Sequence, residues 1–127
     1  MIQTARLLLA LVLGIVIGAE AIPPLQAQPG RRGAYVVAET QVTEPAGYME
    51  YLRREPDTLT PYHGRVLAHA LPDIREGTGP NATVAVIAFD SLQEADGWYN
   101  SPAYAKLREL RQSSAKSRVY ILDGAVQ

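Results

Sequence analysis

The order in which strand and helix patterns follow one another is the feature that most constrains the fold of this chain. Four segments rich in β-branched or alternating apolar residues predict strands. They are Ala34–Val42, Arg65–Leu71, Thr83–Phe89 and Ser117–Asp123. Apolar residues at helical spacing follow the first and third of these strands. The predicted order is therefore β-α-β-β-α-β.

This order is the split βαβ arrangement of ferredoxin-like folds, and it predicts an α+β protein. Each β-α-β crossover should be right-handed, which puts both helical segments on one face of a four-stranded antiparallel sheet. The expected order of the strands across the sheet is fourth, first, third, second. Residues 34–127 are then one domain, as their length also suggests.

Local signals predict where the helices begin and end. Thr43 is a candidate N-cap of the first helix, and Pro45 suits its first turn because a missing N–H costs nothing there. Pro56 lies inside the same pattern and should kink or restart the helix. The segment Ser91–Glu94 has the form of a capping box. Ser101-Pro102 should end that helix and begin another.

The two faces of the predicted sheet differ in character, because side chains alternate along a strand. One face carries small apolar residues suited to packing under helices, including Val36, Ala38, Val66, Ala68, Val119 and Ile121. The other mixes apolar, aromatic and charged residues: Tyr35, Val37, Glu39, Arg65, Leu67, His69, Leu71, Arg118, Tyr120 and Leu122. Such a face is too apolar to stand in water. We therefore predict a homodimer, a dimeric α+β barrel whose two sheets enclose a partly polar cavity.

The beginning of the chain has a different composition. Arg6 precedes the uncharged apolar run Leu7–Ala19, which is shorter than the roughly 20 residues that a membrane-spanning helix needs. Residues 1–27 therefore predict a signal peptide, cleaved after Ala21 or Ala27, and residues 28–33 a short polar leader. The expected location is periplasmic or secreted, with no membrane attachment after cleavage. The alternative is an uncleaved membrane anchor.

Charge and composition exclude several classes of function. The formal net charge is −1 and the basic residues are scattered, so we expect no nucleic-acid partner. The chain has no cysteine, which excludes disulfides, thiol nucleophiles and Cys-ligated metals. His63 and His69 are the two histidines, and their spacing matches no metal-binding motif. We therefore expect neither a metal ion nor another cofactor.

The segment from Ala34 to Gly124 resembles the family known as domain of unknown function 1330. The motifs that carry the resemblance are AYVVAETQV with Pro45 and Tyr48, Tyr62 with Gly64-Arg65, Val86-Ile87 with Phe89, Ser91–Ala95, WYNSPAY from Trp98 to Tyr104, and Leu110-Arg111. The resemblance implies a ferredoxin-like protomer of the dimeric α+β barrel superfamily, whose members include cofactor-free monooxygenases, lactone isomerases and haem-processing enzymes. His63 and His69 stand where the family tends to have Gly and Arg, so the resemblance assigns neither histidine a role.

The predicted interior between two sheets contains the candidate ligand-binding residues. They are Tyr35, Glu39, Arg65, His69, Arg118 and Tyr120. The first hypothesis is a homodimer that binds a small organic molecule there without catalysis. The second is a cofactor-free enzyme, of isomerase or monooxygenase type by superfamily analogy, in which Glu39 with His69 or Tyr120 supplies acid–base groups. The alternative is a structural ion pair between Glu39 and Arg118, since their strands should be neighbours.

Overall fold

The computed structural model describes residues 32–124, and its elements follow the predicted order. The strands are β1 (Ala34–Val42), β2 (Arg65–Ala70), β3 (Thr83–Phe89) and β4 (Ala115–Asp123). The helices are α1 (Pro45–Leu59), α2 (Leu92–Tyr99) and α3 (Pro102–Ser114), with a 3₁₀ turn at Thr60–Tyr62. The predicted signal peptide and both cleavage points lie outside the described residues.

The four strands form one antiparallel sheet in the order β2-β3-β1-β4. This confirms the order predicted from the right-handed crossovers. β1 is central, and its Val36 pairs with Ile87 of β3 on one side and with Ile121 of β4 on the other. These three apolar side chains share a face, as strand alternation requires.

The core lies between that face and the three helices. Its largest buried side chains are Trp98, Tyr104, Phe89, Ile87, Leu107 and Val36. The rings of Trp98 and Tyr104 lie 3.9 Å apart between centroids, and the Trp98 indole N–H donates to the Thr58 hydroxyl at 3.0 Å. The indole thus buries a large apolar area while its one donor is satisfied.

The helix ends follow the sequence signals except at the start of α1. Ser91 and Ser101 cap α2 and α3 by accepting from the N–H groups of Glu94 and Tyr104. The cap of α1 is Glu44, whose carboxylate accepts from two backbone N–H groups, so the prediction of Thr43 is wrong. α1 also continues through Pro56 to Leu59 without restarting.

A β-bulge in β2 changes which face the end of this strand presents. Arg65 and Val66 pair with Ala88 and Ile87, but the next pairing joins Ala68 to Val86, and Leu67 is the extra residue. From Ala68 onward the alternation is therefore reversed. The predicted faces are wrong for this part of β2, and His69 pairs with Ala85 on the helix-covered face.

The opposite side of the sheet, which we call the open face, is not covered by any of the helices in residues 32–124. Its β1 and β4 positions carry Tyr35, Glu39, Arg118, Tyr120 and Leu122. Tyr35 and Tyr120 are 38% and 40% exposed, and Leu122 is 50% exposed.

Within residues 32–124, none of the helices combines the length and apolar character that crossing a membrane requires.

Candidate functional site

A cavity of about 230 Å³ lies between α1 and the helix-covered face of the sheet. We call it the α1 cavity. Its lining comprises Ala38, Thr40, Tyr48, Tyr51, Leu52, Glu55, Pro56, Val66, His69, Ala85 and Arg111. Most of the wall is apolar, with a few polar groups on it, which is the usual character of a small-molecule site.

Glu55 is the carboxylate of this cavity, and α1 buries it by periodicity. Tyr48, Tyr51, Glu55 and Leu59 are the buried residues of the helix and recur every three or four positions, so they lie on its inner face. Glu55 is only 9% exposed. The Tyr51 hydroxyl donates to its Oε1 at 2.6 Å and lies 3.1 Å from the Tyr104 hydroxyl. The carboxyl group is therefore held by a chain of two phenols.

Burial governs the protonation of these groups. It raises the pKa of Glu55 above its usual value, although Tyr51, His69 and Arg111 all act in the opposite direction. Burial also raises the pKa of Tyr51 and of Tyr104. The cavity thus holds a carboxyl group whose pKa is shifted toward neutral pH. A general acid or base requires such a shift.

Arg111 reaches the cavity from α3 and is 4% exposed. Its Nε–H is buried and has no acceptor among residues 32–124. Within the same part of the chain, no carboxylate oxygen lies within 4.0 Å of its guanidinium nitrogens. An Arg side chain stays charged in a protein, so the cavity wall carries a buried cation.

His69 enters the same cavity because of the bulge in β2. Its Nε2 lies 3.4 Å from the Tyr48 hydroxyl, and the two rings are 6.5 Å apart between centroids. His69 and Glu39 were predicted to share one interior, and this is wrong for a single protomer because they lie on opposite faces of the sheet.

Glu39 forms an ion pair with Arg118 across neighbouring strands, as their predicted proximity suggested. The guanidinium donates twice, from Nη2 to Oε1 at 2.8 Å and from Nε to Oε2. The hydrogen bonds from Arg118 hold the pKa of Glu39 below its usual value. Glu39 itself is buried while the Arg118 side chain is exposed. A carboxylate held in this way is a poor proton acceptor.

The other predicted site residues lie apart from this pair or beside it. Arg65 donates to the Asp90 carboxylate and to the His63 carbonyl, each at 3.2 Å. It pairs in register with Ala88, which is level with Tyr35 at the far end of β1 from Glu39. Tyr35 and Tyr120 lie on the open face with Arg118.

Sequence reasoning missed Glu55, Arg111 and Tyr51. The sequence did contain a signal, since Glu55 lies four residues after Tyr51 and seven after Tyr48 on the same side of α1. A carboxylate inside the buried stripe of a helix is uncommon unless it is paired or functional. Arg111 likewise follows Tyr104 and Leu107 on the inner face of α3.

A second polar cluster lies at the end of the sheet. His63 Nδ1 is 2.8 Å from Glu94 Oε1, and one ligand atom from each of His63, Asp90 and Glu94 lies within 4.8 Å of the others. His63 has a left-handed backbone conformation with φ of 56°. Arg65 already bonds Asp90, so the cluster is a partly exposed network of one ion pair and one hydrogen bond. The absence of a metal stays a prediction.

The sheet order and the helices on one side of it define a ferredoxin-like α+β protein, as predicted. The chain belongs to the family described as Domain of unknown function (DUF1330), whose model matches residues 33–125. The resemblance drawn from the motifs is thereby confirmed. No protein of curated function matches the sequence.

Solved structures with the same fold come from several bacteria. A protein of unknown function from Rhodopseudomonas palustris, RPA0582, has a TM-score of 0.62 at 13% identity, covering 76% of this chain and 85% of its own. A dimeric ferredoxin-like protein of unknown function from Jannaschia sp. CCS1 has a TM-score of 0.58 at 11% identity, with coverages of 72% and 98%. SnoaB, a cofactor-independent oxygenase from Streptomyces nogalater, has a TM-score of 0.56 at 14% identity, with coverages of 76% and 96%. At these identities the likeness shows the fold alone.

Proposed function

We propose that this protein is an exported homodimer in which each protomer binds a small organic molecule in its α1 cavity. The observation that carries the proposal is the convergence of Glu55, His69 and Arg111 on one largely apolar cavity of about 230 Å³. His69 is exposed, but Glu55 and Arg111 are buried, and two such groups from different helices are costly to bury unless a partner satisfies them. A bound molecule would be that partner.

The open face supports the homodimer. Tyr35, Tyr120 and Leu122 are exposed there beside the Glu39–Arg118 ion pair. Leu67 at the bulge is also exposed. A second copy with the same surface would remove these groups from water, and a two-fold contact is self-complementary. The Jannaschia protein with the same fold is described as dimeric.

The position of the ligand differs from the one that the sequence suggested. Glu39 already has Arg118 as its partner, and His69 faces α1 instead of the open face. We therefore assign the α1 cavity to the ligand and the open face to the contact between protomers.

Native mass spectrometry of the protein purified from its own host tests the binding proposal. The spectrum of the wild-type protein should show one small molecule released per protomer. Ala85→Leu is the matched control, because Ala85 lines the α1 cavity and a larger side chain would fill part of it. A wild-type protein without any bound molecule, together with no binding in a fragment screen, would overturn the proposal.

A cofactor-free enzyme is the second candidate function. The observation that favours it is that Glu55 and His69 share one cavity and that burial raises the pKa of Glu55. These are the requirements for moving a proton to and from a bound substrate near neutral pH. The oxygenase from Streptomyces nogalater, which has the same fold, is described as cofactor-independent.

Incubating the recovered molecule with the protein in air distinguishes binding from catalysis. Catalysis predicts conversion by the wild type and its loss in Glu55→Gln, which keeps the shape of the side chain and removes its proton chemistry. Unchanged recovery of the molecule from the wild type supports the non-enzymatic binding protein.

Export is tested by the mass of the protein in the cell. We expect a mature chain that begins after Ala21 or Ala27 and is recovered outside the cytoplasm. A full-length chain in the membrane fraction would instead support the uncleaved anchor.

A further inference from the structure

We propose that the ligand of the α1 cavity is a small anion with an apolar body, most simply a monocarboxylate, and that Arg111 binds its charged group. The inference rests on the small-molecule proposal above and adds the chemical class of the ligand. It is carried by the position of Arg111 and by the balance of charge around the cavity.

Arg111 is a buried cation that lacks an anionic partner within residues 32–124. It is 4% exposed, it lines the cavity, and its Nε–H has no acceptor among residues 32–124. Buried charges in proteins are normally paired and hydrogen-bonded, because removing an ion from water is costly. A guanidinium matches a carboxylate in shape, since two parallel N–H···O bonds can form.

The groups around Arg111 do not balance its charge. Burial raises the pKa of Glu55, which favours the neutral carboxyl group. Burial also raises the pKa of Tyr51 and of Tyr104, so both phenols are neutral near pH 7. Among residues 32–124 no carboxylate oxygen lies within 4.0 Å of the Arg111 guanidinium nitrogens, so Glu55 is not its ion-pair partner, and a monoanionic ligand supplies one. When the Glu55 carboxyl group is protonated, it can donate a hydrogen bond to the same anion.

The rest of the lining sets the ligand's body and its size. Leu52, Val66 and Ala85 give the cavity an apolar wall. Its volume of about 230 Å³ is smaller than the ~300–1,000 Å³ of sites for drug-sized ligands. A short acid with a single ring or a short alkyl chain meets both conditions, whereas a dianion would leave a second charge unpaired.

Matched acid–amide pairs test the charge of the ligand. The probes are benzoate, phenylacetate and hexanoate, each compared with its primary amide by isothermal titration calorimetry on the intact mature protein at pH 7. A hydrogen bond to a charged partner strengthens binding more than a neutral one, so we expect at least one acid to bind about tenfold tighter than its amide.

Variants assign the preference to Arg111. Arg111→Gln should abolish the difference between acid and amide, and Arg111→Lys should retain part of it. Arg53→Gln is the control for net charge, because Arg53 is an exposed cation on α1 that pairs with Glu50. The comparison on the wild-type protein stays decisive if Arg111→Gln fails to fold.

Each result supports or overturns the inference. Equal affinity for acids and amides overturns it and leaves the small-molecule proposal standing. If none of the six probes binds, the molecule recovered by native mass spectrometry decides: an anion supports the inference and a neutral compound overturns it. No probe binding and no recovered molecule overturns both proposals.

Discussion

At the scale of single residues, Glu55 has the most consequential environment in the chain. It lies inside the buried stripe of α1, hydrogen-bonded to Tyr51 and within the same cavity as Arg111. Because burial raises its pKa in the folded protein, the native state binds more protons than the unfolded chain between the two pKa values. The stability that protonated Glu55 contributes is therefore present at low pH and is lost as the pH rises through the folded pKa.

Glu55→Gln should remove this dependence on pH. The free energy of unfolding of the wild type should fall with pH above about 4.3, the usual pKa of an unfolded Glu, and the variant should be flatter over that range. Urea titrations at a series of pH values measure both curves. Glu50→Gln is the control. The hydrogen bond from Arg53 lowers the pKa of exposed Glu50, so the stability that Glu50 contributes is lost as the pH falls, opposite to Glu55. Parallel curves for wild type and Glu55→Gln would contradict the assignment.

The core packed around Gly64 leaves no room for a side chain at this position. A Cβ at this position would lie 2.7 Å from Leu59 Cδ2 and 2.8 Å from Phe89 Cε1. Both of these neighbours are buried, so they have little room to move. Gly64→Ala should therefore destabilise the protein by about 1–3 kcal/mol through overpacking. Thermal denaturation measures the loss, with exposed Gln112→Ala as a control expected to change little. An unchanged melting temperature in Gly64→Ala would show that the core can adjust.

At the scale of elements, the sequence predicted those whose signals are local. The serine caps of α2 and α3 and the alternation of β1 were sufficient to place these segments, and the order of the elements then determined the sheet. The bulge in β2 has no comparable signal. Leu67 is an ordinary strand residue without the glycine that often marks a bulge, so simple alternation put His69 on the wrong face.

The candidate site could be predicted only in part, because its geometry depends on packing between elements. The pairing of Glu39 with Arg118 followed from strand order. Periodicity places Glu55 and Arg111 on the inner faces of α1 and α3, but the cavity that they share depends on how the two helices pack against the sheet and each other.

Deletion of Leu67 tests the bulge directly. The remaining residues of β2 already alternate regularly against β3, so the deletion should leave His69 opposite Ala85 and close to Tyr48. We expect the protomer to fold with a stability change of about 1 kcal/mol or less, since Leu67 is exposed within the protomer. The chemical shifts of the His69 side chain should be retained in NMR spectra. Deletion of Ala85 from unbulged β3 is the contrasting variant, because it shifts the register against both neighbours. Loss of the His69 environment on deletion of Leu67 would contradict the pairing.

At the scale of the whole molecule, the sheet separates two surfaces with different tasks. The helix-covered face contains the α1 cavity, and the open face carries the exposed apolar groups assigned to the second copy. A change on the open face should therefore alter assembly without reaching the cavity, which makes the two proposals independent of each other.

Leu122→Lys should convert the dimer to a monomer. Leu122 is 50% exposed on the open face beside Tyr35. In the proposed dimer the Leu122 side chains of both protomers would be buried. Burying a fully exposed Leu contributes about 1.5–3 kcal/mol, and about half of that is available at half-buried Leu122, so losing two should weaken the dimer roughly tenfold to a hundredfold. Sedimentation velocity over a range of micromolar concentrations measures the change. Met49→Lys is the control, since Met49 is 64% exposed on α1, away from the open face.

The same variant separates assembly from binding. Because Leu122 lies across the sheet from the α1 cavity, monomeric Leu122→Lys should still bind whatever ligand the wild type binds, with similar affinity. Loss of binding together with the dimer would mean that the second copy completes the site, and the ligand would then belong between the sheets. A wild-type protein that is monomeric at micromolar concentration would overturn the dimer while leaving the cavity, with Glu55, His69 and Arg111, as the site to test.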